Sequence, residues 1–304
     1  AALVEAAYQN KMPAGALTDH GNIFGAVTFF KEAKAREVKP ILGCEIYVAP
    51  RSRFDKTGDS RDPHHFHLVL LVKNDQGYRN LCHLLSKAYL EGFYYRPRID
   101  KELLSQHAEG LIGLSSCLKG EVSFYLDKEN GEAAEAAAAE YASYFAPGDF
   151  YLELQDHGLP PQKNVNVQLV RLARKLGLPL VATNDIHYLR KEDSESHDIL
   201  LCIQTNKKLS DPDRIRFGSQ EFYFKSGAEM AELFKEVPEA LENTTRIASQ
   251  CHFDFPSGGH FLPQFKAPDD MPLDEYLAFV AKEGFKFRRE ELQPKWERGE
   301  LAHP

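Results

Sequence analysis

Short apolar runs alternate with longer amphipathic stretches through the first 200 or so residues. Residues 13–17, 39–48, 67–72, 111–114, 150–154 and 178–182 hold brief apolar or β-rich runs of strand length. Between them, residues 1–10, 26–37, 75–91, 131–145 and 162–176 read as helices. The stretch 131–145 does so through its alanine content, and 162–176 ends at Gly177, a usual helix stop. Such alternation is the pattern of parallel βα units and predicts an α/β fold. Polar clusters fall at strand ends or inside strands, as they do where a closed barrel gathers its active site on one face. A barrel-like fold is therefore expected over an open doubly wound sheet. His67, at the front of its apolar run, fits that scheme least well.

The pattern changes after about residue 205. A polar connection (207–217) leads to an expected short strand, Glu221–Lys225, and to helices over 228–235 and 238–251. A Pro/Gly-rich junction, F-P-S-G-G-H-F-L-P at 255–263, precedes a helix from Leu273, the expected start of a second domain.

Composition narrows the class. With 43% hydrophobic and 27% charged residues, the 304-residue chain has the balance of a soluble globular protein. No apolar run approaches the roughly 18 residues of a membrane span, and no signal peptide opens the chain, so a cytoplasmic location is expected. Five cysteines without CxxC pairs exclude a disulfide framework or a zinc ribbon. A net charge of −8 argues against holding nucleic acid by overall basicity, so any nucleic acid must be reached locally. No GxGxxG turn or Walker lysine is present. Both ends read as cut: the chain opens on a helix under way and closes on K-W-E-R-G-E-L-A-H-P.

The candidate chemistry begins at L-V-A-T-N-D-I-H-Y, 180–188. Asp185 and His187, two residues apart after an apolar run, share one side of an extended chain and could grip one metal ion. A loop aspartate and a surface histidine are the plainer reading. His20, Glu45, His67 and Cys117 extend the series, each a type of group that binds Zn²⁺, Mn²⁺ or Fe²⁺. Singly, each has a structural alternative; Cys117 could be a small buried apolar side chain. Glu45 is harder to dismiss, since a carboxylate in an apolar strand is costly unless paired or ligating. Mixed N and O donors from several strand ends suit a multinuclear site that clamps a phosphate and activates a water. G-F-Y-Y-R-P-R-I-D (92–100) is either a nucleic-acid contact or an aromatic loop packed under a helix.

T-D-H-G-N (18–22), G-C-E (43–45), H-L-V-L-L (67–71), S-S-C (115–117) and T-N-D-I-H-Y (183–188) resemble the successive motifs of the PHP (polymerase and histidinol phosphatase) family. The segments K-P-I-L-G-C-E (39–45), G-F-Y-Y-R-P-R-I-D (92–100) and F-L-P-Q-F (261–265) are similar to the family of bacterial replicative DNA polymerase III alpha subunits. The resemblance implies a distorted seven-stranded βα barrel over 1–250, with its first strand missing from this fragment. The start of the polymerase palm would follow over 251–304. It implies His20, Glu45, His67, Cys117, Asp185 and His187 as ligands of Zn²⁺ or Mn²⁺, up to three ions in the intact domain. Asp19 and Asn184 would be supporting partners, with simple turn polarity an equal alternative. Glu153 and His157, also at a strand end, are placed outside the ligand set. A His-x-His motif and an Asp are expected just before Ala1. The polymerase aspartates, with their Mg²⁺, are expected beyond Pro304, Asp269-Asp270 being only a turn. Implied partners are primer-template DNA, the sliding clamp, the clamp loader and a separate proofreading exonuclease. The visible ligand set favours a 3′–5′ proofreading exonuclease; the alternatives are a non-catalytic metal-stabilised scaffold that docks a proofreading subunit, or a free-standing PHP phosphatase. The segments after residue 255 weigh against the last.

Overall fold

A computed structural model of the protein describes residues 1–57, 65–256 and 264–301. Part of the polar loop at 50–64, most of the junction at 255–263 and the last three residues lie outside the described residues. The chain forms two compact units, Ala1–Asp254 and Phe255–Pro304.

The first unit is built on a mixed seven-stranded sheet. After helix α1 (Ala2–Gln9), strand β1 (Ala14–Leu17) crosses through α2 (Ala26–Ala35) to its parallel neighbour β2 (Lys39–Val48). β2 then pairs antiparallel with β3 (Phe66–Val72), so the sheet is not the all-parallel array that the βα alternation predicts. The reason lies in the connection: among the described residues no helix lies between β2 and β3, and an antiparallel pair needs no crossover. That reversal also accounts for His67. At the start of β3 it stands opposite Tyr47, near the C-terminal end of β2, and so at the same edge as the other strand ends.

Helix α3 (Asp75–Leu90) returns the chain, its N-terminus capped by Asn74, whose Oδ1 accepts from the Gly77 N–H. Strand β4 (Arg98–Ile99) pairs beside β2, and Asp100 caps α4 (Lys101–Gln106) while also receiving the Arg53 guanidinium. Next, β5 (Leu111–Leu114) pairs antiparallel with β3. After α5 (Glu121–Asp127) and α6 (Gly131–Tyr144), β6 (Phe150–Leu154) lies parallel to β5. Helix α7 (Pro160–Leu176) starts with Pro at its first turn and stops at Gly177 in the left-handed region (φ 66°). Strand β7 (Leu180–Ala182) completes the order β1-β2-β3-β5-β6-β7. β2, β3, β5 and β6 are buried along nearly their whole length, and Ile41, Val69, Ile112, Leu114 and Tyr151 meet in one core cluster. Each such aliphatic side chain contributes about 1.5–3 kcal/mol by leaving water. The result is a curled, distorted βα barrel.

Past β7 come α8 (Ser194–Thr205), α9 (Gly227–Leu233) and α10 (Pro238–Gln250). The expected strand Glu221–Lys225 does not form: its one ladder contact is a bridge from Tyr223 to Tyr188. Its side chains serve packing instead, with Phe222 and Lys225 buried. α10 lies on β7, with Asn243 donating to the Leu180 carbonyl at 2.8 Å. In the second unit, Pro268–Asp270 make the expected turn before α11 (Leu273–Glu297). Among the described residues no helix is long and apolar enough to cross a membrane.

Candidate metal centre

Backbone pairing delivers the first three candidate ligands. The 18–22 loop continues β1 alongside β2: the Glu45 N–H donates to the Asp19 carbonyl, the Gly21 N–H to the Glu45 carbonyl, and His20 bridges Glu45. His67 is fixed by its N–H to the Lys119 carbonyl at 3.0 Å. That contact requires the chain to fold back at Gly120, where an added Cβ would lie 2.0 Å from the Ser115 carbonyl oxygen. The fold-back also carries Cys117 to the site.

One ligand atom from each of His20, Glu45 and His67 lies within 4.8 Å of the others. Glu45 Oε1 is 2.5 Å from His67 Nδ1, and Glu45 Oε2 is 3.5 Å from His20 Nδ1. Cys117 Sγ is 3.8 Å from His67 Nδ1 and 3.9 Å from Glu45 Oε1. Glu45 and His67 are buried, whereas His20 is open to solvent. His187 approaches from the far side, its ring 6.4 Å from that of His20, with Asp185 Oδ1 3.7 Å from His187 Nδ1. Four of the six predicted residues thus share direct contacts, and Asp185 and His187 flank them.

The electrostatics differ across the site. Burial works to raise the Glu45 carboxyl, but the His67 hydrogen bond, the nearby His67 and His20 rings and the Ser116 hydroxyl hold it down to about 2. Burial pushes the Cys117 thiol up and keeps it protonated. Partial desolvation on the inner side of its ring lowers His20, which leaves that imidazole neutral and able to ligate at neutral pH. Asp185 is raised to about 6, chiefly by burial and against the pull of His187. Two imidazoles, an ionised carboxylate and a cysteine that a bound metal would hold as thiolate match, at such separations, the donor set of Zn²⁺, Mn²⁺ or Fe²⁺. The residues present fit a divalent metal ion.

The two expected supporting partners act otherwise than by touching ligand side chains. Asp19 contributes its carbonyl, which takes the Glu45 N–H at 3.1 Å and the Cys44 thiol at 3.2 Å. Asn184 turns its amide outward, donating to the Tyr223 carbonyl at 2.6 Å and accepting from Lys225 Nζ at 3.3 Å. Sequence reasoning missed Ser116, whose Oγ donates to Glu45 Oε1 at 2.9 Å; behind it lies Glu153, placed outside the ligand set from the sequence. Like Glu45, Glu153 is a carboxylate inside an apolar strand. The 92–100 segment is divided in its burial. Arg98, Ile99 and Asp100 are buried, while Phe93 and Tyr95 are exposed.

A family model described as the PHP domain matches residues 1–157. The chain belongs to the PHP domain family. Among curated proteins it is 49% identical over 274 residues to DNA polymerase III subunit alpha of Treponema pallidum, covering 90% of this chain and 23% of that protein. The namesake proteins of Borreliella burgdorferi and Thermus aquaticus are 48% and 50% identical, over 92% and 87% of this chain and 24% and 22% of theirs. The chain therefore spans about a quarter of the length of these relatives. A solved structure, described as a candidate metal-dependent phosphoesterase of Bifidobacterium adolescentis, shows 12% identity and a TM-score of 0.39 over 60% of this chain and 80% of its own.

Proposed function

We propose that this PHP domain is a metal-dependent phosphoesterase acting on DNA 3′ ends, a 3′–5′ proofreading exonuclease within a DNA polymerase III alpha-type chain. The observation that carries this is the convergence of His20, Glu45 and His67 within 4.8 Å, with Cys117 against them. Zn²⁺ or Mn²⁺ held there would polarise a phosphodiester and lower the pKa of water. The chain's own residues prepare for that. Glu45 is kept ionised, His20 is kept neutral on the open rim, and Ser116 orients the Glu45 carboxylate. Sequence likeness to the alpha subunits supports further parts of this reading. They are the palm beginning in the second unit, an Mg²⁺-dependent polymerase site elsewhere in the protein, and work in the cytoplasm on primer-template DNA. The clamp, the clamp loader and a separate proofreading subunit would be its partners.

The test is release of nucleotides from a mismatched primer 3′ end with Mn²⁺ or Zn²⁺, beside a His20→Ala, Asp185→Ala double variant. Cleavage by the parent and a loss of at least ~100-fold in the variant is the expected result. Equal cleavage by both sinks the assignment.

A further inference from the structure

Glu153 sits on β6, 4% exposed, and bonds directly to no candidate ligand. Its Oε2 accepts the Ser116 N–H at 2.9 Å. Its Oε1 accepts from Gln155 Nε2 at 3.0 Å and from the Thr183 hydroxyl. Its own N–H donates to Ser115 Oγ at 2.8 Å, and the Ser115 N–H donates to the Tyr151 carbonyl at 3.0 Å, so the 115–116 turn is held to β6 at three points. Ser116 is in the left-handed region (φ 63°), a conformation that a serine keeps only under outside constraint. From that backbone its hydroxyl reaches Glu45 Oε1, and the next residue is Cys117. Thr183, on the other arm, lies two residues before Asp185.

We propose that Glu153 is a positioning residue for the metal centre, one buried carboxylate that ties the Ser115–Cys117 turn to the Thr183–His187 loop and, through Ser116, orients Glu45. This rests on the reading of the cluster as a metal site, not on what the site hydrolyses. A carboxylate suits the task because it accepts several hydrogen bonds at once, here from donors on two ligand-bearing segments and on β6's own continuation. An apolar side chain would fill the space but leave the Ser116 N–H and the Thr183 hydroxyl buried without acceptors. Residues that orient metal ligands in this way typically change metal affinity 10–100-fold when lost.

The experiment titrates Co²⁺ into the full chain and follows visible and near-ultraviolet absorption, including the near-ultraviolet thiolate-to-cobalt charge-transfer band that Cys117 ligation produces. Glu153→Ala should weaken Co²⁺ uptake roughly 10–100-fold and diminish that band. Glu153→Gln keeps one acceptor for the Ser116 N–H, so it should keep the band and lose affinity by a smaller factor. Circular dichroism establishes folding; should the alanine variant not fold, the glutamine variant carries the test. Unchanged affinity and an unchanged band in the folded alanine variant, or unchanged affinity in the glutamine variant where only that folds, overturn the proposal. A wild-type chain that takes up no Co²⁺ overturns it as well. A parent that binds Co²⁺ but cleaves no DNA refutes the nuclease reading alone, and the variants still decide the role of Glu153.

Discussion

The two halves of the candidate centre are built by different means. His20, Glu45 and His67 ride on or against the sheet, each placed by main-chain hydrogen bonds to a neighbouring strand or loop. Asp185 and His187 stand on irregular chain beyond β7, and Asp185 itself is left-handed (φ 43°). Their support comes from the 217–225 segment. The His187 N–H donates to the Phe222 carbonyl at 2.9 Å, Asn184 is held at both ends of its amide, and Phe222 stacks on His157 at 3.8 Å. His157 Nε2 in turn bonds the Asn184 carbonyl at 2.8 Å. A ligand fixed by a ladder inherits the stability of the sheet. One fixed by side-chain props is only as well placed as those props, and opens at lower cost.

Phe222→Ala is the largest expected break between the halves. Phe222 is buried against His157, His187 and Phe217, so its truncation should cost about 3–5 kcal/mol, read as a lower unfolding midpoint. Metal uptake should lose the share owed to Asp185 and His187 while the sheet-borne trio still binds. Equal loss from both halves would show that they are one cooperative unit.

Titration should separate the halves next. Glu45 is held to about 2, below its ordinary 4.5, so it contributes stability that is present above about 4.5 and lost as pH falls toward 2. Asp185 is raised from 3.8 to about 6, so the metal-free fold binds its proton more tightly than the unfolded chain does. Its contribution has the opposite sign: full below 3.8 and lost as pH rises through about 6. Chelated protein melted across that window should lose on the order of 1–3 kcal/mol from this group. Asp185→Asn should remove that part of the slope and leave the acid limb due to Glu45. Identical pH profiles for parent and variant would refute the assignment.

The same divide sets what could be read from the sequence. β2, β5 and β6 fall where the apolar runs of 39–48, 111–114 and 150–154 put them, because buried strands announce themselves by composition. The direction of β3 was hidden, since a run buried on both faces reads the same either way. Only the pairing shows His67 at the ligand edge. His20, Glu45 and His67 were legible as residue types that are costly to bury or free to ligate. The props of the second half were not. Phe222, Tyr223 and Lys225 look like any β-prone stretch, and their partners Asn184 and His157 lie tens of residues away in sequence. Ser116, and the link of Glu153 to it, escaped for a related reason: each acts through another residue, and such a link is visible only in three dimensions.

The smallest effect, and the sharpest on the loop, is expected from Asn184→Ala. The substitution removes a donor to the Tyr223 carbonyl and an acceptor for Lys225, a lysine only 4% exposed. Lys225 keeps the Glu221 carbonyl and lies 4.3 Å from the Tyr223 ring centre, so its charge is not stranded. The backbone carbonyl of residue 184 stays in place to receive His157. The loss should therefore be about 1–3 kcal/mol, that of buried polar groups left without a partner. Metal affinity should fall more than stability alone would suggest, because Asp185 follows directly in the chain. Asn184→Asp keeps the acceptor and places a carboxylate beside Lys225, so it should restore part of the stability. If both variants bind metal as the parent does, the loop is held by Phe222 and the His187 N–H alone, and the side-chain share of its anchoring is correspondingly small.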